Sequence, residues 1–340
     1  MKVICAALFL CSPLFSAPQR LSQTDLYADI STKKVKETHH NFVPQYALWS
    51  DGARKTRWIC FPPSTQIDNS DPDSWKFPVG TMVWKEFAFP RTDDPNLFRR
   101  VETRYLEKLK NGTWEMVTYV WNEDESDAEL APSNGLANFY PLAPGVKHDI
   151  PSVSQCANCH NKGGDKVLGF DELQLSDDKD PLALHIEEVN ERDLPLTTLR
   201  YLVDRGLVKS PNPEWLTNAP RIHSKTDLGR AAMGYMHANC GHCHNPNGRA
   251  AMTRQYLRHS MQATDEHTEP AYLTTVNQPT RSFQIPGISK TFRILPAEPD
   301  LSAVHYRLDR GSMPSVGKKI IDRDAVEQIG NWIKTISGMD

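Results

Sequence analysis

The pattern Cys-x-x-Cys-His occurs twice in this chain, and it constrains the fold more than any other feature. The first copy is Cys156, Cys159 and His160 in SQCANCHNKG, and the second is Cys240, Cys243 and His244 in NCGHCHNPNG. Two thiols at this spacing can each form a thioether bond with one vinyl group of a haem, and the adjoining histidine can then bind the iron. The sequence therefore predicts two covalently attached c-type haems, with His160 and His244 as iron ligands.

Two other uses of the paired cysteines stay open. Two Cys-x-x-Cys pairs can bind one zinc ion, but zinc ribbons usually separate them by about 15–20 residues. Cys159 and Cys240 are much further apart than that. A redox dithiol is the second alternative, although its chemistry does not need a histidine after each pair.

The second axial position of each iron needs a ligand from elsewhere in the chain. For the second motif we expect Met313, in RGSMPSVG, because a thioether favours ferrous iron and raises the reduction potential. Pro314 stiffens the backbone beside it. The sequence does not specify a ligand for the first motif, where the position can also be open. The candidate histidines there are His39, His40, His148 and His185.

The N-terminus has the layout of a secretory signal peptide. MKVICAALFLCSPLFSAPQR contains one lysine, then a short apolar run, then small and turn-forming residues. We expect residues 1–17 to be the signal, with cleavage near Ala17, and the mature protein to be periplasmic. A buried N-terminal helix and a lipoprotein modified at Cys11 are the alternatives.

The bulk composition excludes several classes of protein. The chain has 340 residues, of which 39% are hydrophobic and 24% charged, and its net charge is −3. These values are typical of a globular protein that is long enough for two domains. A near-neutral balance argues against a nucleic-acid partner. After the signal, no apolar stretch is long enough to predict a membrane span.

The chain divides into a β-rich part and a part with helical patterns. Strand patterns occur in RWICFP, GTMVWKEFAF, LFRRVETRYLEKL and TWEMVTYVW, and Asn111-Gly112 predicts a hairpin between the last two. We expect a β-rich domain with the first haem at 18–175, a linker with short helices at 176–226, and a domain with the second haem at 227–340. Cys60 and the tryptophans of the strands are expected to pack in the core.

Two helices frame the last part of the sequence. Thr226 or Asp227 can cap a helix that runs into the second motif. Near the C-terminus, a second helix carries an apolar stripe at helical spacing. The residues of that stripe are Val326, Ile329, Ile333 and Ile336.

From about Leu228 to its end, the chain resembles a class I cytochrome c domain. The resemblance rests on the helix ending in NCGHCH, on the Met313-Pro314 loop and on the terminal helix with Trp332. It implies that the first and last helices of this part pack together. The fold class expected from it is α+β multidomain, with an N-terminal β-rich haem domain followed by an all-α class I cytochrome c-like domain.

The whole chain is also similar to a family of poorly characterised bacterial di-haem c-type cytochromes. The shared phrases are ALWSDGARKTRWI, WKFPVGTMVWKEF, VETRYLEK, YVWNEDESDAEL, QCANCH, LGFDELQL, MHANCGHCHNPNG and SMPSVG. In addition, one part of the chain resembles cytochrome P460 and the β-type cytochromes c′. This part is FPVGTMVWKEF, followed by a hairpin and then by the first Cys-x-x-Cys-His motif. That second resemblance implies a β-sheet domain that holds a haem with an exposed or apolar sixth site.

These observations predict a periplasmic di-haem c-type cytochrome that mediates electron transfer between redox partner proteins. The alternative is a haem enzyme that acts on peroxide or a small nitrogen species at an open first haem, since five-coordinate iron can bind small ligands. A module in which the β-rich domain docks a partner is a further possibility. No catalytic residue is assigned.

Overall fold

The computed structural model describes residues 17–160, 167–185 and 195–337. Within these ranges the strands are β1 (Tyr27–Asp29), β2 (Lys34–Val35), β3 (His40–Asn41), β4 (Arg54–Cys60), β5 (Met82–Pro90), β6 (Phe98–Lys108), β7 (Trp114–Trp121), β8 (Ala128–Leu130), β9 (Leu136–Ala143) and β10 (Val146–Ile150). The α-helices are α1 (Val153–His160), α2 (Leu199–Asp204), α3 (Asp227–Asn239), α4 (Pro270–Leu273), α5 (Ala303–Asp309) and α6 (Arg323–Thr335).

Strands β3 to β8 form one antiparallel sheet of six strands, in which each strand pairs with the next along the chain. Strands β4 to β7 confirm the four strand predictions. The predicted hairpin joins β6 and β7. Its turn uses Gly112 at a φ of 81°, and the Gly112 N–H donates to the Leu109 carbonyl at 2.8 Å. Such a φ favours glycine, so the local sequence sets the register of the hairpin.

Both faces of this sheet are covered, because side chains alternate along each strand. On one face Trp84 packs in a core with Trp58 and Trp121, and Cys60 lies half-buried at its edge. On the other face Val83 shares a core with Trp75. Trp114 packs half-buried against that second core. The predicted core positions are confirmed for four of the tryptophans, whereas Cys60 and Trp114 are only half-buried at the core margins.

Helices α3 and α6 pack against each other, as the sequence indicates. The Thr226 side chain accepts a hydrogen bond from the Gly229 N–H, and Asp322 accepts one from the Ala325 N–H, so each helix has an N-cap. A Cβ at Gly229 would lie 2.8 Å from Nε1 of Trp332, which shows how closely the helices approach. Three residues of the predicted stripe, Ile329, Ile333 and Ile336, are buried in the shared core, and Val326 packs half-buried against it.

The all-α class I cytochrome c-like domain predicted for residues 227–340 is absent from the described part of that range. Between α3 and α6 the chain consists mainly of turns, loops and short 3-10 helices, and β-bridges join Val276 to Ile294 and Phe292 to Ser302. The described chain is β-rich with a few helices, so the predicted fold class is wrong. Proline removes helical hydrogen bonds, and this segment contains Pro279, Pro286, Pro296 and Pro299.

The two motif-bearing parts of the chain share apolar contacts. Tyr46, which lies between β3 and β4, packs on α3 so closely that a Cβ at Gly234 would overlap its ring. Leu173 lies in the same core as Met233 and Trp332. Residues from both sides of the expected 176–226 linker therefore stabilise the helix that leads to the second motif.

The predicted signal peptide falls outside the described residues, except for Ala17, which is buried. Among the described helices, α3 and α6 have 13 residues each. None of the helices in the described ranges combines the length and hydropathy that crossing a membrane requires.

Candidate functional site

The second motif lies in the turn that follows α3. Cys240 forms the C-cap of the helix, and its carbonyl accepts hydrogen bonds from the N–H groups of Cys243 at 3.1 Å and His244 at 2.9 Å. The chain therefore makes one tight turn through the motif. This turn presents Cys240, Cys243 and His244 to the same cavity.

One glycine within the motif and one just after it allow the backbone to fold this tightly. A Cβ at Gly241 would lie 2.6 Å from the carbonyl oxygen of His237, and a Cβ at Gly248 would overlap the carbonyl oxygen of Cys243. Any larger residue would displace the backbone at these two points. The glycines in NCGHCHNPNG are thus required by the shape of the turn.

A cavity of about 280 Å³ opens beside the second motif. Its volume is near the lower end of the roughly 300–1,000 Å³ typical of cofactor sites. Met313 also lines it, so the cavity contains the two side chains expected to bind iron from opposite sides. Apolar residues cover much of the remaining wall, and these are Leu257, Phe283, Val304, Leu308 and Ile329.

Basic side chains form another part of the same wall. Arg281, Arg293 and Arg307 all line the cavity. Arg293 is buried, and its guanidinium donates to the carbonyls of Thr253, Arg254 and Thr274 at 2.6–2.7 Å, which fixes its position. Guanidinium groups bind carboxylates well. An apolar cavity with arginines at its wall suits a porphyrin, which carries two carboxylates, so the donor set fits a c-type haem.

Two local contacts hold the candidate axial ligands. Met313 follows α5, and its N–H donates to the Arg307 carbonyl at 3.2 Å. The His244 carbonyl accepts from the Leu257 N–H at 2.8 Å. Burial lowers the pKa of His244, which favours the neutral imidazole that metal binding requires.

The first motif occupies α1, which packs against β7. Cys156, Cys159 and His160 all lie within this helix and are half-buried. A pocket of only about 20 Å³ borders Cys156, far less than a porphyrin needs. The cavity therefore supports haem binding at the second motif. At the first motif, the prediction of a haem depends on the motif residues and their surroundings.

A buried ion pair lies beside the first motif. Arg104 on β6 donates to Glu102 at 2.6 Å and 3.2 Å, and His148 Nε2 lies 2.9 Å from the same carboxylate. Burial alone would raise the pKa of Glu102, but Arg104 and His148 lower it to about 2. Arg104 also interacts electrostatically with Cys156 and Cys159. A charged network thus lies close to the first pair of cysteines.

The structure brings the two motifs into contact. The sulfur atoms of Cys159 and Cys243 and a ring nitrogen of His242 all lie within 4.8 Å of one another. A hydrogen bond between the two cysteines lowers the pKa of Cys243 and raises that of Cys159. Sequence analysis did not predict this contact and gave no role to His242.

The four histidines considered as sixth ligands of the first haem each contact another group. His148 is bonded to Glu102, and His185 Nε2 lies 2.8 Å from Asp322. His39 stacks on Trp84, and His40 Nδ1 lies 3.0 Å from the Tyr201 hydroxyl. In the described structure, none of the four belongs to the cluster of Cys159, His242 and Cys243.

Residues 47–51 form a further structural element beside the site, which sequence analysis missed. The Asn239 side chain accepts from the Trp49 N–H at 2.7 Å and donates to the Ala47 carbonyl at 3.0 Å. Asp51 accepts from the N–H groups of Lys319 and Ile320, both at 2.8 Å. We call this segment the clasp, because it joins the start of the second motif to the chain before α6.

A signal for the clasp was present in the sequence. ALWSDGARKTRWI was interpreted only as a phrase shared with a family. Its residues Trp49 and Asp51 precede strand β4 and do not follow the alternating pattern of a strand. Asp51 and Asn239 are both buried, and buried polar groups need hydrogen-bond partners. Burial itself, however, could not be read from the sequence.

Comparison of the chain with protein-family models and with curated proteins gives no match, and no solved structure matches it. The function of this chain is therefore inferred from its motifs and their geometry.

Proposed function

We propose that this protein is a di-haem c-type cytochrome that is exported to the periplasm and transfers electrons between redox partner proteins. The observation that carries the proposal is the cavity lined by Cys240, Cys243 and His244 together with Met313. Its apolar wall and its arginines suit a porphyrin. A complete second copy of the motif at Cys156, Cys159 and His160 supports a second haem.

Each residue of the second site has a distinct task. Cys240 and Cys243 would hold the group by thioether bonds, and His244 and Met313 would supply nitrogen and sulfur ligands. When bound, the haem supplies a one-electron redox centre. Leu257, Leu308 and Ile329 make part of the wall apolar, which limits water at the site. Low solvent exposure and a thioether ligand both affect the reduction potential.

Intact-mass measurement tests this proposal. The protein should be matured in a host with cytochrome c assembly machinery and then denatured, so that only covalent groups remain. We expect the mass of the polypeptide plus two haems. The double variant Cys240→Ala/Cys243→Ala should lose one haem, and Cys60→Ala should lose none because Cys60 belongs to a strand core. A mass equal to the bare polypeptide would refute the proposal.

A metal ion is a second candidate, favoured by the proximity of Cys159, His242 and Cys243. Thiolates and imidazole are typical zinc ligands. His242→Ala separates the two candidates, because it removes one of these metal ligands but no residue of haem attachment. Zinc in the purified protein that is lost in His242→Ala would favour the metal site. Two covalent haems in both proteins would exclude it.

Binding of a small ligand at the first haem is the enzymatic alternative. It is favoured because each of the four candidate histidines contacts another group in this fold. This arrangement would leave the sixth position of the iron open. The reduced protein should be examined with and without carbon monoxide. A spectral shift of one haem would indicate an open position and support a catalytic site, whereas unchanged spectra would support electron transfer alone.

A further inference from the structure

A second group of possible metal ligands lies outside both motifs, at the start of α6. It consists of His185, Asp322 and Asp324, whose ligand atoms all lie within 4.8 Å of one another. His185 Nε2 is 2.8 Å from a carboxylate oxygen of Asp322. Asp322 is buried and Asp324 is exposed, so the group is open to solvent on one side.

Neighbouring elements hold two of these side chains in place. The Tyr235 hydroxyl of α3 is hydrogen-bonded to Asp322. The ring centre of Trp49, in the clasp, lies 4.7 Å from that of His185. Trp49 Nε1 also donates to the Ile320 carbonyl at 2.9 Å, two residues before Asp322. Outer partners of this kind orient the side chains that bind a metal.

In the described structure, no lysine or arginine forms an ion pair with either carboxylate of the group. Asp322 contacts His185, and the neighbouring Arg323 is paired with Asp309 rather than with Asp324. Two carboxylates that lie this close together repel each other, and burial of one of them strengthens the repulsion. A divalent cation between them would replace this repulsion with attraction.

Gln328 provides a separate indication of a cation at this position. It lies one turn beyond Asp324 on α6, and residues four apart are neighbours on a helix surface. Its Nε2 donates to the Leu182 carbonyl at 2.8 Å, three residues before His185. Gln328 is 8% exposed, and its Oε1 has no hydrogen-bond partner among the described residues. A buried amide oxygen without a partner is costly, and a nearby cation with its bound water would supply one.

We propose that His185, Asp322 and Asp324 bind one divalent transition-metal ion, with zinc as the best match, and that this ion joins the segment at His185 to α6. An imidazole nitrogen and carboxylate oxygens are typical zinc ligands, whereas Ca²⁺ and Mg²⁺ prefer oxygen alone. The ion stabilises the fold at the clasp. The site is independent of the proposed haems, because none of its residues belongs to either motif.

Thermal unfolding with added zinc tests the proposal. The purified protein should be freed of metal with a chelator and titrated with ZnCl₂, and calorimetry should give the dissociation constant. We expect a hundredfold excess of zinc over that constant to raise the unfolding midpoint by about 3–6 °C. CaCl₂ at the same concentration should leave the midpoint unchanged, because Ca²⁺ does not favour an imidazole ligand.

Two ligand variants and two controls locate the site. Asp324→Asn and His185→Ala should each weaken zinc binding at least about tenfold and remove most of the shift, because a ligand is lost. Asp324 is exposed, so its variant is expected to fold. Glu327→Gln, at another exposed acidic position of α6, is the matched control and should keep the shift. His242→Ala should keep it too, because His242 lies beside the motif cysteines.

The possible results separate this inference from the proposed function. Loss of the shift in both ligand variants, with retention in Glu327→Gln, supports the site whether or not the protein carries haem. Wild-type protein that zinc does not stabilise would refute it. A shift that survives in either ligand variant, or disappears in Glu327→Gln, would also refute it, and its loss in His242→Ala would place the ion at the motif cysteines. Intact mass of the same samples tests the haems alone.

Discussion

Met313 and His244 lie far apart in the sequence, yet both line the cavity beside the second motif. The spacing of Cys240, Cys243 and His244 could be interpreted from sequence because the proposed attachment of haem requires it. The placement of Met313 depends instead on where α5 ends, since its N–H is held by the Arg307 carbonyl. The position of Met313 at the cavity is thus a product of tertiary structure.

Replacement of Met313 tests its role at the iron. Met313→Ala should abolish the weak far-red charge-transfer band of the ferric protein and lower the potential of one haem, because the thioether ligand is lost. Absorption spectra and a redox titration measure these effects. Met252→Ala is the matched control, because Met252 is 89% exposed. Loss of the band in the control, or its persistence in Met313→Ala, would contradict the assignment.

Glu102 gives a prediction about stability and pH. Its pKa is about 2 in the folded protein against an ordinary value of 4.5, so its stabilising effect is complete above pH 4.5 and disappears as the pH falls towards 2. Glu102→Gln leaves Arg104 without its buried carboxylate and should lower the free energy of unfolding at pH 7 by about 3 kcal/mol.

Urea denaturation at several pH values measures this effect. The shifted pKa sets a window between about pH 5 and about pH 2. Across this window, wild type should lose more stability than Glu102→Gln. Glu129→Gln is the control, because Glu129 is exposed on β8. Equal pH profiles for wild type and Glu102→Gln would show that the carboxylate does not stabilise the fold.

The strands and the two framing helices could be predicted, and the region between α3 and α6 could not. Side chains along strand β5 alternate between two cores, as Val83 and Trp84 do, and Asn111-Gly112 marks the hairpin between β6 and β7. These are local signals of fixed period. The C-terminal fold was instead inferred from a resemblance at its two ends, whereas the intervening prolines and β-bridges produce mostly irregular structure.

Helix α3 depends on one glycine for its contact with the N-terminal half. Alanine is a better helix former than glycine by about 1 kcal/mol, yet Gly234→Ala should destabilise the protein by about 1–3 kcal/mol because its Cβ would overlap the Tyr46 ring. Thermal unfolding measures the change. Combining it with Tyr46→Ala should remove most of the additional loss, and a stabilised single variant would contradict this packing.

The contact between Cys159 and Cys243 belongs to the molecule as a whole, which explains why sequence reasoning did not find it. It requires α1 on the sheet, α3 on Tyr46 and the clasp on Asn239. Long-range packing of this kind leaves no periodic pattern in the sequence. Each motif could therefore be recognised alone, but their proximity could not.

The shared core and the clasp predict cooperative unfolding. We expect tryptophan fluorescence and Soret absorbance to report one coincident transition in denaturant. Asn239→Ala leaves the Trp49 N–H and the Ala47 carbonyl without their partner, and should cost about 1–3 kcal/mol. Asn247→Ala, at an exposed position in the turn after α3, should cost little. Two separate transitions in wild type would contradict a shared core.

The clasp also imposes an order on folding. Asp51 and Lys319 are separated by 268 positions in the sequence, so their hydrogen bond closes a very long loop. Closing a loop costs entropy that increases with its length, whereas the hairpins of the sheet join neighbouring segments. The sheet can therefore form first, and the clasp closes late.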